Sequence, residues 1–283
     1  MTATGVQDNS EHRETQVRAH YGLFERARLA VGELSARGLD PERLTPKDLA
    51  PYDQMHTCGP HGTELTIAAL GAKAGERVLD VGSGLGGPAR MLNAACGCTV
   101  TGIDLTPGFV AMAQDFTRRT GQTDNVGFQI ASATALPFDD ATFDRAWHIH
   151  MSMNVADKPA MYGEIARVLK PGGTFVLYDP IRGPGPEPEY PVPWAMTPET
   201  SFLLTADAML ATISSAGFEI VRHDDVSADG LRWFEDMDRA RAAQPPPPNA
   251  APVDPRMAAL TLNHRKNLRT GAIALLRATF SRR

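Results

Sequence analysis

The sequence predicts an α/β protein with a mainly parallel β-sheet that carries helices on both faces. From about residue 75 onward, short apolar runs alternate with stretches of helical character. This alternation is typical of parallel sheets, because the connection between two parallel strands is usually a helix that packs on the sheet. A glycine-rich turn directly after the first run is a second indication, since parallel sheets bind ligands at such turns.

The size and composition suit one large globular domain, or one domain with an appended lobe. The chain has 283 residues, of which 42% are hydrophobic and 22% are charged, so it can bury a sizeable core. Its formal net charge of −5 gives no overall field that would attract nucleic acid or an acidic membrane surface. We therefore expect neither nucleic acid nor a membrane as a partner.

The cysteines and the amino terminus predict a cytosolic protein. Cys58, Cys96 and Cys98 are too few for a disulfide framework, and no histidine or cysteine follows them at zinc spacing, so no metal site is expected. The first residues are polar without an apolar stretch, and no apolar run is long enough to span a bilayer.

The chain divides into an amino-terminal part and a main domain. Residues 1–14 are polar and predicted to be disordered, whereas apolar spacing over 15–70 predicts a helical cap. The main domain, 71–283, is predicted to carry lid insertions at about 182–200 and 230–268, each with a proline-rich segment. The second insertion is interpreted either as a lid over the active site or as a homodimer interface.

Six apolar runs are predicted to be strands of the sheet. They are short and bounded by turn residues, as buried strands are. In chain order they read RVLDV, CTVTGID, VGFQI, FDRAWHI, GTFVLYD and GFEIVRHD, and the last element of the chain is GAIALLRATF.

The turn after the first strand, VLDVGSGLGG at residues 78–87, carries very little side chain. Its glycines, at 82, 84 and 86, depart from the dinucleotide fingerprint G-x-G-x-x-G. The second strand ends in Asp104, where a carboxylate can accept both hydroxyls of a ribose. Together these features predict an adenosine across the carboxyl ends of strands one and two.

Both NAD and S-adenosylmethionine (SAM) contain an adenosine. NAD needs the complete fingerprint to cradle its pyrophosphate, whereas SAM needs a close backbone and an acceptor for its ammonium group. Here Asp80 precedes the turn in the pattern D-x-G-x-G, and Gly86, Gly87 and Pro88 follow it. In this motif the sequence closely resembles the class I SAM-dependent methyltransferases.

The resemblance covers roughly residues 52–225. The segments ASATALPFDDATFDRAW and MYGEIARVLKPGGTF stand in the order and spacing of these methyltransferases. DQMHTCGPHGTE, HMSMNVADKPAMYGEI and LYDPIRGPGPEPEYPVPWA further resemble the sarcosine/dimethylglycine N-methyltransferase-like subgroup. The family implies a Rossmann-like sheet of seven strands, whose last strand, at about 271–279, is antiparallel beside the sixth.

The resemblance also implies SAM as the cofactor and assigns residues to it. Asp80 would lie near the methionine end, and Asp104 would hold the ribose hydroxyls. Ser132 stands where the family usually has an aspartate, so the adenine amino group would lose a charged acceptor and keep a hydroxyl and a backbone N–H. The complete set is Asp80, Gly82, Ser83, Gly84, Asp104, Leu105, Ser132, Ala133 and His148.

Methyl transfer from SAM depends mainly on alignment, so a dedicated base is optional. An amine that binds neutral needs no base, whereas a hydroxyl or phenol benefits from a group that takes its proton. His148 and His150 alternate with Ile149 at the end of the fourth strand and would share one side if the strand continues. Asp179 ends the fifth strand and would orient an imidazole, so His150, His148 and Asp179 are the catalytic candidates.

The acceptor is expected to be a small molecule that the flanking segments select. The loop before the first strand and the proline-rich excursion would bring aromatic faces, which suit a flat ring or a methylammonium group, and methionines would adapt to an irregular apolar shape. The predicted substrate residues are Tyr52, Gln54, His56, Met151, Met153, Asn154, Tyr190 and Trp194.

Transfer to a nitrogen or oxygen is the favoured reaction, and three alternatives stay open. A prenyl-diphosphate C-methyltransferase would need cations such as Arg26, Arg28 and Arg37 for the diphosphate, and a carboxylate such as Glu164 facing inward. A non-catalytic SAM-binding module would need no water-excluding lid. A dehydrogenase would bind NADH and not SAM.

Overall fold

The computed structural model describes residues 14–16, 26–243 and 255–283, with a seven-stranded sheet at its centre. The strand order is β3-β2-β1-β4-β5-β7-β6. The first five strands are parallel to one another, and β7 runs antiparallel between β5 and β6. The strands are β1 (Arg77–Val81), β2 (Thr99–Asp104), β3 (Val126–Ile130), β4 (Phe143–Ile149), β5 (Leu169–Arg182), β6 (Phe218–Asp225) and β7 (Ile273–Arg282).

Helices surround this sheet, so the predicted fold class is confirmed, as is the antiparallel last strand beside the sixth. One-turn 3₁₀ helices lie at Ser152–Asn154 and Pro198–Thr200. The longer helices are α1 (Arg26–Ala36), α2 (Pro46–Asp53), α3 (Gly59–Leu70), α4 (Gly87–Cys96), α5 (Pro107–Arg119), α6 (Lys158–Val168), α7 (Ala206–Ser215), α8 (Ser227–Ala243) and α9 (Pro255–Thr270). In the part of the chain that the structure describes, no helix combines the length and apolar character needed to cross a bilayer.

The alternating side chains of the strands build a core on both faces of the sheet. On one face they pack against α6 and α7, where Tyr162 and Ile213 are completely buried. On the opposite face they pack against α3, α4, α8 and α9, where Leu70 and Leu92 are completely buried. The carboxyl ends of β1 to β5 therefore open on one edge, between two fixed layers of helices.

Helices α1, α2 and α3 lie within residues 15–70, the predicted cap, and α1 and α2 share a small core of their own. This core joins Leu34 and Leu49 to Phe116 of α5. An ion pair between Asp53 and Arg90, 2.7 Å apart and almost free of solvent, fastens the end of α2 to α4. Arg90 also donates to the carbonyl of Leu85, directly before the glycine-led start of α4. The predicted disorder of 1–14 lies outside the described residues except at Glu14.

This ion pair also explains why residue 87 is a glycine. A Cβ at Gly87 would lie 2.4 Å from the Asp53 carboxylate, so only glycine lets α2 approach α4 this closely. Burial raises the pKa of Asp53 and lowers that of Arg90, while each partner opposes the shift of the other. Neither group is therefore stable in its buried position without its partner.

We expect Arg90→Met to lower the free energy of unfolding by about 3–5 kcal/mol, because it leaves a buried carboxylate uncompensated. Urea unfolding checks this value, and the double variant R90M/D53N should recover part of the loss. As a control, Arg239→Met removes an exposed ion pair with Asp236 and should cost less than about 1 kcal/mol. An R90M protein as stable as the wild type would contradict the role of the pair.

The two predicted lid insertions contact each other. Within the first, the backbone of Glu189 exchanges hydrogen bonds with the Asn267 side chain of α9, at 2.8 Å each. In the second, α8 and α9 pack on the body of the protein through buried Phe234 and Leu268. The proline-rich link of the second insertion falls mostly at 244–254, outside the described residues. The homodimer stays a prediction.

Candidate active site

The turn after β1 is held against the end of β2. The backbone N–H groups of Gly82 and Ser83 both donate to the Ile103 carbonyl, at 2.9 and 2.8 Å. Gly82 has a φ of 76°, and a Cβ there would lie 2.1 Å from the Met151 side chain. Glycine is required at this position for both reasons, which leaves bare backbone at the ligand-binding edge of the sheet.

Asp104 closes β2 beside this turn. Its carboxylate accepts hydrogen bonds from the backbone N–H groups of Gly84, at 2.9 Å, and Thr106, at 2.8 Å. Burial raises the pKa of Asp104, and the two backbone donors oppose that shift. The carboxylate is thus fixed in place at the edge while keeping lone pairs for further donors.

Two buried polar atoms at the turn find no hydrogen-bond partner in the part of the chain that the structure describes. They are Oδ2 of Asp80 and Oγ of Ser83. Burial raises the pKa of Asp80 to about 7; the Trp147 indole opposes this shift, and the Asp104 carboxylate adds to it. An unsatisfied buried carboxylate is a suitable partner for a cation, because pairing removes the cost of burying it. Bare backbone, a fixed acceptor for ribose and this carboxylate together fit SAM, with its adenosine and its cationic methionine end.

The structure places the remaining predicted cofactor residues on the same edge, with one exception. Leu105 is half-buried directly after Asp104, and Ala133 is buried after the end of β3. The Ser132 hydroxyl donates to the carboxylate of Glu14, at 2.6 Å. His148 is the exception, because it is completely buried.

The prediction that His148 and His150 share one side is wrong. The strand β4 ends at Ile149, and His150 has a φ of 49°, in the left-handed region. This reversal turns His150 toward the face of α3, where its ring lies 4.9 Å from that of Tyr178. His148 stays on the face of α6, 3.4 Å from the Tyr162 hydroxyl.

Asp179 accordingly neighbours His148 and not His150. Its Oδ2 lies 3.3 Å from Nδ1 of His148. Its two oxygens also accept the backbone N–H groups of Met151 and Ser152, at 2.9 and 3.1 Å. Both side chains are fully buried, so the structure corrects their expected place beside a substrate. Asp179 instead holds the backbone that follows His150.

His150, directly after the end of β4, and His56 form a histidine cluster with ring centres 5.8 Å apart. Both ring nitrogens of His56 have neighbours: Nδ1 lies 3.0 Å from the Thr57 carbonyl, and Nε2 lies 3.0 Å from both Gln54 Oε1 and Thr63 Oγ1. Nε2 of His150 is buried and has no hydrogen-bond partner among the described residues. Of the two imidazoles, His150 is therefore the one with a nitrogen left for a ligand.

Burial keeps these imidazoles neutral near pH 7. It lowers the pKa of His56 to about 4 and holds that of His150 well below its usual range. The groups that further lower the pKa of His150 are His56, His264 and His148. Within the described residues, no carboxylate or guanidinium contributes to either shift. The cluster is thus uncharged and apolar in character.

Three predicted substrate residues offer almost no surface to a ligand. Tyr52 packs in the core of the cap, and its hydroxyl donates to Glu33 at 2.7 Å. Met153 and Trp194 are each 3% exposed, and the Trp194 ring packs edge-on against His264. These three assignments stay predictions that burial does not favour, and the aromatic and methionine pattern alone did not reveal this burial.

The other predicted substrate residues stay candidates, and two site residues were missed. Gln54, His56, Asn154 and Tyr190 are partly exposed, and Met151 lies against Gly82. The two residues that were not predicted are Tyr178, whose hydroxyl donates to the Thr57 carbonyl at 3.1 Å, and Thr63, whose hydroxyl lies 3.0 Å from Nε2 of His56. Strand alternation places Tyr178 opposite Asp179 and could have indicated it; no signal marks Thr63.

Comparison with known proteins decides the class of the domain. The family model described as "Methyltransferase domain" matches residues 79–177. These residues form a methyltransferase domain. The match runs from β1, through the glycine turn and Asp104, into β5. The predicted class, a SAM-dependent methyltransferase, is thereby confirmed for the domain.

The chain is similar to methyltransferases of several kinds. Methyltransferase GfsG from Streptomyces halstedii is 37% identical over 132 residues, 47% of this chain and 48% of that protein. Sterol 24-C-methyltransferase ERG6B from Gibberella zeae is 31% identical over 192 residues, 60% of this chain and 47% of that protein. The chain thus spans about half the length of these relatives.

The whole fold also has a counterpart among solved structures. Geranyl diphosphate C-methyltransferase from Streptomyces coelicolor A3(2), in complex with Mg²⁺, geranyl-S-thiolodiphosphate and S-adenosyl-L-homocysteine, matches with a TM-score of 0.70. The match covers 96% of this chain and 98% of that chain at 19% identity. At this identity the match establishes the fold and not the acceptor.

Proposed function

We propose that this chain transfers the methyl group of SAM to a hydroxyl oxygen of an uncharged small molecule. The observation that carries the proposal is Nε2 of His150, directly after the end of β4: this nitrogen is buried and neutral, and none of the described residues hydrogen-bonds to it. A neutral imidazole with a lone pair to offer is suited to take the proton of a hydroxyl.

The proposed reaction uses two neighbouring groups of residues, one that binds SAM and one that binds the acceptor. At the first, the glycine turn and Asp104 bind the adenosine, and Asp80 faces the methionine end. When bound, SAM supplies a methyl group on a cationic sulfur, which a nucleophile can attack in line. At the second, the rings of His56, His150 and Tyr178 exclude water and align the acceptor. Such alignment accounts for up to roughly 7–11 kcal/mol of the barrier in well-oriented systems.

His150 takes the proton in this scheme. Nε2 of His150 would accept the hydroxyl proton while the acceptor oxygen took the methyl group from the sulfur of bound SAM, which would leave as S-adenosyl-L-homocysteine (SAH). The imidazolium then releases this proton to water, since burial disfavours the charged ring. Gln54 and Thr63 keep His56 in place beside it.

The uncharged cluster supports a hydroxyl over the other acceptors. A carboxylate acceptor of the sarcosine kind needs a cation to hold it, and among the described residues no guanidinium contributes to the pKa shift of His56 or His150. The carbocation of the prenyl alternative needs an inward carboxylate. Glu164 instead pairs with Arg167 at 2.7 Å and accepts the Leu136 N–H at 2.7 Å.

The experiment is methyl transfer from isotope-labelled SAM to a matched panel of acceptors: a phenol, an aliphatic alcohol, an aniline, an amino acid and an alkene. We expect labelled methyl ethers from the hydroxyl compounds and no product from the amino acid. Product on nitrogen or carbon alone would contradict the proposed acceptor. Binding of SAM without transfer to acceptors in crude metabolite extracts would favour a non-catalytic module.

A further inference from the structure

Lys158, the first residue of α6, is a buried lysine, only 3% exposed. Its ammonium donates to three backbone carbonyls: those of Ser152 and Val155, at 2.8 Å each, and that of Phe202. An ammonium has three donors, so these carbonyls use its whole capacity. Burial lowers the pKa of Lys158 to about 8, and the Asp179 carboxylate opposes this shift, so the group is charged at pH 7.

Two opposite charges hold the turn that follows His150. The Asp179 carboxylate accepts backbone N–H groups at the start of the one-turn 3₁₀ helix Ser152–Asn154, and the Lys158 ammonium donates to carbonyls of this helix and of the residue after it. Ser152 is bound on both sides, by its N–H at 3.1 Å from Asp179 and by its carbonyl at 2.8 Å from Lys158. A negative charge on N–H groups and a positive charge on carbonyls both stabilise such a turn.

His150 depends on this turn because its backbone is left-handed. Its φ is 49°, a conformation that is unfavourable for a residue with a side chain and that persists only where the surroundings impose it. On one side the His150 N–H is fixed by the Tyr178 carbonyl, at 2.7 Å. On the other side His150 leads directly into the turn that Asp179 and Lys158 hold. The orientation of its imidazole therefore depends on both charges.

Lys158 also joins this turn to the chain that follows the first insertion. The carbonyl of Phe202 accepts the third hydrogen bond of Lys158, and the N–H of Phe202 donates to the Met153 carbonyl at 2.9 Å. One residue earlier, the Ser201 hydroxyl accepts the indole N–H of Trp194, at 2.9 Å. Lys158 thus connects the turn after His150 with a segment that carries the insertion.

We propose that Lys158 is a positioning residue for the reaction: it holds the turn 151–155 from the side opposite to Asp179 and so keeps the His150 imidazole in the position that proton transfer needs. The proposal rests on the proposed function, in which His150 is the base. Lys158 acts through the backbone and not on the acceptor, because its ammonium is used by three carbonyls.

The first test is the titration of His150, followed by NMR in wild type and two Lys158 variants. Lys158→Met keeps a side chain of similar length but removes the charge and all three donors. The pKa of His150 should then rise toward 6.5, because burial is the main cause of its lowered value and a loosened turn admits water. The other groups that lower this pKa, His56, His264 and His148, are unchanged. Lys158→Arg keeps the charge and the donors and should keep the pKa of His150 close to that of wild type.

The second test is kcat for a hydroxyl acceptor at saturating SAM. K158M should lower kcat by about 10²-fold, the usual effect of a misplacement of about 1 Å, and K158R should recover most of this loss. The matched control is Lys170→Met, which removes an exposed lysine paired with Asp144 at the opposite end of β5. It should change neither kcat nor the pKa of His150.

The proposal requires both readouts to change in folded K158M. If either the pKa of His150 or kcat keeps its wild-type value there, or if K158R is no closer to wild type than K158M, the proposal is overturned. Hydrogen exchange in wild type needs no variant: the amides of Met151 and Ser152 should be protected, and rapid exchange would overturn the proposal even if K158M does not fold. A wild type that methylates no hydroxyl compound would remove the proposed function, whereas the NMR titration would still decide whether Lys158 holds His150 in place.

Discussion

Asp104→Ala is expected to weaken SAH binding by at least about 100-fold, because two charge-assisted hydrogen bonds to the ribose are lost and each contributes about 1.5–3 kcal/mol. The carboxylate is held for this purpose by the backbone N–H groups of Gly84 and Thr106. Isothermal titration calorimetry with SAH measures the effect. Asp104→Asn should give an intermediate loss, since an amide keeps one acceptor oxygen.

The variant also removes two backbone contacts, and a matched control separates this effect from ribose binding. Asp225 closes β6 as Asp104 closes β2, and it accepts the N–H of the residue two positions on, Ser227, at 2.9 Å. Asp225→Ala therefore removes the same local contact at the far edge of the sheet. It should leave SAH affinity unchanged. Wild-type affinity in folded D104A would show that the carboxylate does not hold the ribose.

His150→Asn is expected to lower kcat for a hydroxyl acceptor by about 10²–10⁴, the usual contribution of a general base. Asparagine is chosen because it tolerates the left-handed backbone at this position better than alanine. The affinity for SAH should stay the same, because no group that binds the adenosine is changed. His61→Asn replaces an exposed imidazole and serves as the control with wild-type kinetics.

The pH profile gives a second readout for His150. The base must be neutral, and its pKa is lowered well below 6.5 by burial, so the rate should be level around pH 7 and fall only as the pH drops through that lowered value. The profile of H150N should lack this acid limb. Rates must be taken where the protein is folded, because His56, His150 and His264, whose pKa values are lowered, bind protons more readily when unfolded and so reduce stability below about pH 6.5.

An unchanged kcat in H150N, with an intact acid limb, would remove the base from the scheme. Methyl transfer would then depend only on the alignment of SAM with the acceptor. Such alignment is sufficient for an amine that binds in its neutral form. Loss of kcat together with weaker SAH binding would instead indicate a structural role for His150. The two measurements on one variant therefore distinguish proton transfer from packing.

The sequence predicted the strands, the glycine turn and the carboxylate of the site because these features depend on local patterns. The run FDRAWHI coincides with β4, and the glycine turn and Asp104 meet at the edge where the strand order predicts them. Strand alternation and the requirement for glycine are both properties of neighbouring residues, so they are visible in one sequence. The antiparallel last strand was instead predicted from the family resemblance and not from a local pattern.

The details of the cleft depend on backbone reversals and long-range contacts, which no local pattern contains. One left-handed residue, His150, reverses the expected pairing of the two histidines. The contact of Thr57 with His264, 2.9 Å across 207 residues, joins the loop before α3 to the second insertion. The contact of Glu14 with Ser132 is of the same kind. Tertiary packing decided each of these positions.

The central claim is that the glycine turn and Asp104 bind the adenosine of SAM while His150 faces the site of transfer. A crystal structure of the complex with SAH tests it most directly. The account predicts both ribose hydroxyls on the Asp104 carboxylate and the sulfur turned toward the space in front of Nε2 of His150. Ribose bound away from Asp104, or a sulfur separated from His150 by the protein chain, would contradict it.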